Sequence, residues 1–393
     1  MTVFGIALVV LGAGYSILIS AFALGFWKVT RPRLSTNSIG TPFVTVIVPA
    51  RDESSFIETC LESILANDYP ADRFEVIVVD DLSEDDTPDV VRQMVAQLVD
   101  GEDGKLQLLQ MPENLQRTRA HKKRAIEKGI SVARGDVIMT TDADCLVPTT
   151  WIRTVVDVFD DINVDPIVNT ITAFVSSPVL YRPKNNPLMH MQALEFLALV
   201  AAGAGAIGAG RPTICNGANV AYRKDVFESL GGFSGIDHLT SGDDELLMQK
   251  INDTTGHRVR FCASHHAAVL TEPIHSFREF FQQRKRWASK GAHYPNKRLI
   301  AMLVGIYLFY FGLLVGALAL PFVAGLWLPM LVAFGLKIVP EAALVWPACH
   351  HFGRSRLLVY FLPEQLLHIP YIVVLGAAGV FGKYEWKGRQ LAR

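Results

Sequence analysis

The sequence predicts an α/β domain, a mostly parallel sheet flanked by helices, bracketed by segments that belong in a membrane. Three observations carry this. Between residues 42 and about 175, short Val- and Ile-rich runs alternate with amphipathic stretches of helical period, the pattern of successive β-α-β units. Residues 3–27 contain no charged side chain, and residues 299–320, 322–347 and 357–382 are strongly apolar. Of the 393 residues, 50% are hydrophobic and 19% are charged, which fits a soluble domain joined to membrane segments better than either alone.

Taken in order, residues 3–27 are long enough to span a bilayer at about 1.5 Å per residue. Lys28, Arg31 and Arg33 follow directly, which places residue 28 onward in the cytoplasm by the positive-inside rule. A cleaved signal peptide has its basic residues before a shorter core, so residues 1–28 read as an uncleaved anchor. "FVTVIVPA" is the first strand. "SSFIETCLESILAND" is a helix with Phe56, Ile57, Cys60, Leu61, Ile64 and Leu65 on one face and Ser55 and Glu58 spaced as a capping box. "FEVIVVDD" is the next strand, and "TPDVVRQMVAQLVD" a helix with Pro88 in its first turn. "LQLLQ", "RAHKKRAIEKGISVA" and "DVIMTTD" continue as strand, helix and strand. Residues 196–210 are apolar but short and glycine-rich, which favours a loop or interfacial helix over a crossing. The resulting map is an anchor (1–28), a cytosolic α/β domain (42–275), a basic interfacial helix (276–298), a membrane region (299–382) and a basic tail (383–393).

Lys337, Glu341, Glu364, Gln365 and His368 interrupt the C-terminal apolar stretches, and polar groups at such depth usually face a bundle interior. Three full crossings would put the basic tail "GKYEWKGRQLAR" outside, against the positive-inside rule. Residues 355–368 therefore either cross, re-enter or lie along the interface. The net charge of −1 argues against a general nucleic-acid binder. The five scattered cysteines show no metal-like spacing and read as reduced thiols of a domain facing the cytosol.

Ligands of parallel α/β sheets bind at the carboxyl ends of the strands, and here those ends read "PARDE", "VDD" and "TDAD". No GxGxxG follows the first strand and no GxxxxGK[ST] exists, which disfavours a dinucleotide fold and excludes a P-loop. A crevice with three acidic rims repels anions unless a cation mediates. On a strand, Asp142 and Asp144 would point to the same side and offer hard oxygen donors to Mg²⁺ or Mn²⁺, with phosphate oxygens completing the shell. Asp81 and Glu53 suit donor groups of a base or sugar, and Lys122 can offset phosphate charge. Any one of these acids is more often a cap or a solvated loop residue; the set at strand ends is what points to a site. In "SGDDELL", acids at a helix start are ordinarily dipole partners, but Asp243 or Asp244 could act as a general base. "FREFFQQRKRWASKG" places Phe277, Phe280 and Phe281 on one face with Arg284, Lys285, Arg286 and Lys290, a membrane-surface helix. Arg286 and Trp287 could further reach a diphosphate and a sugar face.

These segments, in this order, resemble a membrane-bound family 2 glycosyltransferase. "VIVPARDES" (Pro49, Arg51, Glu53) and "VIVVDDLSEDDT" (Asp81) resemble its nucleotide-binding segments, and "HKKRAIEKGISVARGD" aligns Lys122 with a family lysine. "DAD" is similar to the DxD metal motif and "NGANVAYRKDVFESLGGF" (Asn216, Gly217, Asn219) to the acceptor-side segment. "TEPIHSFREFFQQRKRW" resembles T-E-P followed by Q-x-x-R-W, carried by Gln283, Arg286 and Trp287. "SGDDELL" departs from the usual T/S-E-D: Gly242 replaces the Glu, so alignment favours Asp243 as base with Asp244 as the other candidate.

The resemblance implies the GT-A fold, a Mn²⁺ or Mg²⁺ cofactor on Asp142 and Asp144, and a nucleotide sugar donor, most often a UDP-sugar. It implies inversion by single displacement, with the catalytic domain on the cytoplasmic face of a bacterial inner membrane. The apolar stretch before the acceptor-side segment suits a lipid acceptor entering from the bilayer. Q-x-x-R-W also accompanies processive polysaccharide synthases, so a β-glycan, an N-acetylglucosamine polymer or a hyaluronan-like polymer is the alternative product. A catalytically dead sugar-nucleotide binder and a transporter subunit with a regulatory domain are the readings from other classes.

Overall fold

A computed structural model describes residues 2–31, 40–98, 105–112, 120–159, 170–184, 186–239, 242–289, 294, 296–381, 384–386 and 389–391. Arg33, Lys290 and Lys387, noted above for their charge, lie outside the described residues. The chain forms two compact units. One comprises Val29–Arg182 and Gly210–Glu272; the other comprises Met1–Lys28, Pro183–Ala209 and Pro273–Arg393.

The first unit is the α/β domain. Its principal sheet contains β1 (Val44–Ala50), β2 (Phe74–Asp80), β3 (Leu106–Gln110), β4 (Val137–Thr140), β5 (Thr172–Ser176), β7 (Val220–Arg223) and β8 (Arg258–Phe261), in the order β3-β2-β1-β4-β7-β5-β8. β6 (Val179–Tyr181) and β9 (Val269–Thr271) form a small parallel pair beside it. β1 pairs in parallel with both β2 and β4. All seven residues of β2 are buried, as expected for a strand covered on both faces. β7 runs antiparallel between β4 and β5, so the sheet is mostly parallel, as predicted.

The helices of this unit are α2 (Ile57–Leu65), α3 (Thr87–Gln97), α4 (His121–Val132), α5 (Trp151–Val156), α7 (Lys224–Ser229) and α8 (Glu245–Thr255). α2 does not use the expected capping box: Phe56 is its N-cap, with no side-chain hydrogen bond, and the amides of Phe56 and Ile57 bond the Glu53 carbonyl instead. The chain enters α2 directly from the turn after β1, so backbone carbonyls do the work assigned to Ser55 and Glu58.

The second unit holds α1 (Val3–Thr30), α6 (Pro187–Gly208), α9 (Phe277–Ser289), α10 (Lys297–Ala319), α11 (Trp327–His351), α12 (Phe361–Phe381) and the hairpin β10 (Tyr384–Trp386) and β11 (Arg389–Leu391). Five helical stretches among the described residues are long and apolar enough to cross a membrane: Val3–Thr30, Pro187–Gly208, Lys297–Ala319, Ala324–His351 and Ser355–Gly379. Of the loop or interfacial helix expected at 196–210, the structure shows a helix, and it starts earlier, at Pro187. Asn186 caps it by accepting the Leu188 amide, and it runs for 22 residues. Its glycines serve packing. A Cβ on Gly25 of α1 would lie 2.0 Å from the Gly205 carbonyl oxygen, and one on Gly205 would lie 2.2 Å from that of Phe22. Two apolar helices can approach this closely only where side chains are absent.

The polar residues of the C-terminal segments meet one another. Lys337 donates to Glu341 at 3.0 Å and also bonds Gln365. Tyr15 and Tyr310 both donate to Glu341, and the Tyr310 hydroxyl lies 3.4 Å from His368 Nδ1. The network ties α1, α10, α11 and α12 through groups that apolar surroundings would otherwise penalise. Lys337→Met leaves Glu341 buried without its cation. It should destabilise the protein by about 3–5 kcal/mol, read as a lower unfolding midpoint in detergent, and Lys337→Met combined with Glu341→Leu should recover most of that loss.

Candidate active site

The site builds outward from the ends of β1 and β2. Asp52 and Leu82, just past these ends, have φ of 51° and 60°, a region that non-glycine residues rarely occupy. A dense lacing holds them there. Arg51, 7% exposed, donates from Nη1 to the carbonyls of Asp81 (2.8 Å) and Leu82 (3.0 Å) and from Nη2 to Glu84 (3.3 Å). The Asp52 amide donates to Ser83 Oγ, and the Glu84 amide donates back to Asp52 Oδ1 at 2.8 Å. The Glu53 amide donates to Thr87 Oγ1 and the Ser54 amide to Asp85 Oδ2 at 3.0 Å. Burial alone would raise the Asp85 carboxyl, but the hydrogen bonds of Thr87 and Ser54 outweigh it and bring its pKa down to about 2.

Asp81 lies at the same end, 6% exposed. Its Oδ1 is 3.3 Å from Nδ1 of His121, the first residue of α4. The next residue, Lys122, turns toward β4. Its Nζ is 2.7 Å from Asp142 Oδ1 and 3.2 Å from Asp243 Oδ2. Burial works to lower the pKa of this ammonium, but Asp142 and Asp243 outweigh it and the pKa moves up. A fixed cation therefore joins the end of β4 to the start of α8.

β4 ends at Thr140, so Asp142 and Asp144 stand on the turn beyond it, closed by the Cys145 amide donating to the Asp142 carbonyl. The strand expected through residue 142 is shorter, yet its alternation persists in burial. Ala143 and Cys145 are 2% and 1% exposed, while Asp142 and Asp144 remain accessible. Asp144 Oδ2 lies 3.4 Å from Thr271 Oγ1 on β9. Burial, followed by the nearby Asp144 charge, pushes the Cys60 and Cys145 thiols up. None of the five cysteines forms a disulfide.

Asp243 and Asp244 differ in employment. Asp244 is the N-cap of α8: Oδ1 accepts the Glu245 amide at 2.7 Å and Oδ2 accepts the Gly217 amide at 2.8 Å. Asp243 faces Lys122 instead. Gly242 has φ of 83°, a conformation that disfavours the Glu usual at that position. Asn216 accepts the Ala218 amide at 3.0 Å and is half-buried, near the same turn.

Two expected site residues are buried and bonded within the protein. Asn219 is 1% exposed; it accepts from Trp151 Nε1 and donates to the carbonyls of Pro178 and Ala267. The guanidinium of Arg51 is spent beneath the loops. Both position the site from inside. Pro49 is part of β1, and Glu53 begins the turn after it.

Gln283, Arg286 and Trp287 lie on α9, in the membrane unit. Their neighbour Arg284 is the buried residue there, 3% exposed. It donates to Gln283 Oε1 (2.9 Å), Glu195 Oε2 (2.8 Å) and the Tyr371 hydroxyl (3.0 Å), and its guanidinium lies 4.1 Å from the Trp287 ring centroid. In sequence Arg284 reads only as a basic residue of a membrane-surface helix, and the one signal for His121 is its position next to Lys122.

Asp85→Asn should remove much of the acid sensitivity of the laced loops. Because the folded pKa lies below the ordinary 3.8, the carboxylate's contribution is complete above that value and is lost as pH falls toward 2. Thermal midpoints measured between pH 5 and 2.5 should therefore fall more steeply for the parent protein than for Asp85→Asn.

Residues 45–231 match the family model described as glycosyl transferase family 2. Glycosyltransferase AglE of Haloferax volcanii is 24% identical over 62% of this chain and 71% of its own length. A beta-monoglucosyldiacylglycerol synthase of Synechocystis is 31% identical over 147 residues, 36% of this chain and 29% of that protein. Among solved structures, the mannosyltransferase PcManGT of Pyrobaculum calidifontis, in complex with GDP-Man and Mn²⁺, superposes with a TM-score of 0.57 at 21% identity, covering 96% of this chain and 99% of that one. The fold, the strand-end carboxylates and the family match converge: residues 45–231 form a glycosyl transferase family 2 domain of the GT-A fold, in a chain with long apolar helices at both its N- and C-terminal ends.

Proposed function

We propose that the protein transfers a sugar from a nucleoside diphosphate sugar to a hydroxyl of a membrane lipid, inverting the anomeric configuration. The observation that carries this reading is the Lys122 ammonium held between Asp142 and Asp243. It brings a donor-side carboxylate and a carboxylate suited to proton removal to one point. The lipid acceptor is supported by the five long apolar helices and by likeness to a protein named as a glucosyldiacylglycerol synthase.

In the displacement, the acceptor oxygen bonds the anomeric carbon as the bond from that carbon to the diphosphate oxygen breaks. Asp243 takes the acceptor proton. Asp244 is the weaker candidate because both of its oxygens already accept backbone amides. Lys122 offsets charge on the departing diphosphate. Asp81 and Glu53, at the ends of β2 and β1, receive the donor groups of base and ribose. For Gln283, Arg286 and Trp287 the support is the Q-x-x-R-W resemblance.

Asp142 and Asp144 fit a hard divalent cation, Mn²⁺ or Mg²⁺. They are accessible carboxylates, and the nearest sulfur groups are buried thiols driven toward the neutral form. Among the described residues no group of three or more ligating side chains exists, so phosphate and water oxygens would complete the shell. Such an ion, when bound, supplies Lewis-acid neutralisation of the diphosphate.

Membranes holding the protein, supplied with Mn²⁺ and radiolabelled UDP- or GDP-sugars, test this directly. Label should enter the organic extract as one discrete glycolipid; label in a long water-soluble polymer would instead establish a processive synthase. Asp142→Asn and Asp243→Asn should each lower transfer by at least about 10²-fold with folding intact. Asp244→Asn should chiefly cost stability, about 1–3 kcal/mol, because the side-chain amide keeps one acceptor oxygen and leaves one backbone amide without its partner. Transfer that survives Asp243→Asn but not Asp244→Asn would move the base by one residue.

A further inference from the structure

Residues 230–239, after α7, are irregular, and two lysines hold them. Residues 230–239 contain three glycines at positive φ, namely Gly231, Gly232 and Gly235. Such a segment has no ladder to satisfy its carbonyls and many conformations open to it. Lys250, on α8, reaches back and donates to the carbonyls of Leu230 (2.9 Å), Gly232 (2.9 Å) and Ser234 (2.8 Å). An ammonium has three donors, and here each finds a separate carbonyl. Lys123, on α4 and 2% exposed, donates to the carbonyls of Ile236 (2.6 Å) and Leu239 (3.0 Å). Glu127, one turn further along α4, accepts the Phe233 amide at 3.2 Å. Phe233 and Ile236 are buried beneath the loop, at 0% and 6% exposure.

The supports are also those of the site. Lys123 follows Lys122 on α4, and Lys122 bonds Asp243. Lys250 belongs to the helix that Asp244 caps, immediately after Asp243. The segment therefore hangs from the two helices whose first turns meet at the candidate base. We infer that Lys123 and Lys250 are positioning residues for Asp243, fixing the segment that leads into it so that its carboxylate meets Lys122 and the acceptor hydroxyl in register. This rests on the assignment of Asp243 as base. Neither lysine is placed to touch the sugar nucleotide. A cavity of about 500 Å³, lined in part by Lys123, Glu127, Gly231, Ser234 and Asp237, lies along the loop and gives it room to move when a support is lost.

The test compares Lys123→Met, Lys250→Met and Lys250→Arg in the full chain in detergent or native lipid. Three quantities are read: kcat for transfer, the Kd for UDP or GDP with Mn²⁺, and hydrogen exchange by mass spectrometry. A misplacement of about 1 Å costs on the order of 10²-fold in rate, so both Met variants should lose about 10- to 100-fold in kcat. Nucleotide Kd should stay within about twofold, because that site does not use the loop. Peptides covering 230–239 should exchange faster while those covering β1 and β2 keep parent rates. Lys250→Arg keeps the charge but offers a planar fork in place of a tripod, so it should lose kcat too. It also provides a milder variant should Lys250→Met exchange throughout. Parent kcat in both Met variants, or a loss of nucleotide affinity that matches the loss of kcat, would overturn the inference. Asp243→Asn, run in parallel, separates the two levels. If it retains transfer, the base assignment fails and the positioning role with it, whereas an inactive Asp243→Asn beside fully active lysine variants defeats the positioning role alone.

Discussion

Everything at the crevice depends on one ammonium among carboxylates. Asp142 closes the strand side and Asp243 opens the helix side, and neither tolerates the other at close range without a cation between them. Lys122 supplies it from α4, at 2.7 Å and 3.2 Å. α4 packs along the sheet through Ala125, Ile126, Gly129 and Ile130, all buried. Successive residues at its start thus meet different partners: His121 meets Asp81, Lys122 the two carboxylates, and Lys123 the loop carbonyls. The helix is the ruler against which the end of β2, the turn after β4 and the start of α8 are set.

Around that point, the protein uses buried polar groups to fix irregular backbone. Arg51 under the first two strand ends and Asn219 under the acceptor-side turn follow the same logic as the lysines under 230–239. Each donates to at least two main-chain carbonyls, and Arg51, Asn219 and Lys123 are buried. Ligand-binding loops are usually the least stable part of a fold. Here their geometry is set from beneath, while the carboxylates of Asp142 and Asp144 remain accessible at the crevice.

Much of this was legible in the sequence, for identifiable reasons. The Val- and Ile-rich strands declare themselves because a doubly covered parallel strand has to be apolar along its length. Placing "VDD" and "TDAD" at strand ends followed from that pattern. Two kinds of feature were hidden. The full length of helix α6 was hidden because glycine, unfavourable within most helices, here lets Gly25 and Gly205 bring two backbones together. The inward turn of Arg51, Asn219 and Arg284 could not be seen because residue type does not say whether a polar side chain faces a ligand or an orphan carbonyl. The choice between Asp243 and Asp244 depended on hydrogen bonds from Gly217 and Glu245 that no spacing encodes.

The place of α6 in the chain has a consequence for the order of assembly. Strand β7, which pairs with both β4 and β5, begins at Val220, after the whole of Pro187–Gly208 has been made. During synthesis β4 emerges long before its antiparallel neighbour and presents an open edge, a state that invites mispairing. The sheet cannot close until a 22-residue apolar helix has left the ribosome. Completion of the catalytic fold is thereby made to wait on a segment with the length and apolarity of a membrane helix, so the finished α/β unit emerges only from chains that have already produced it.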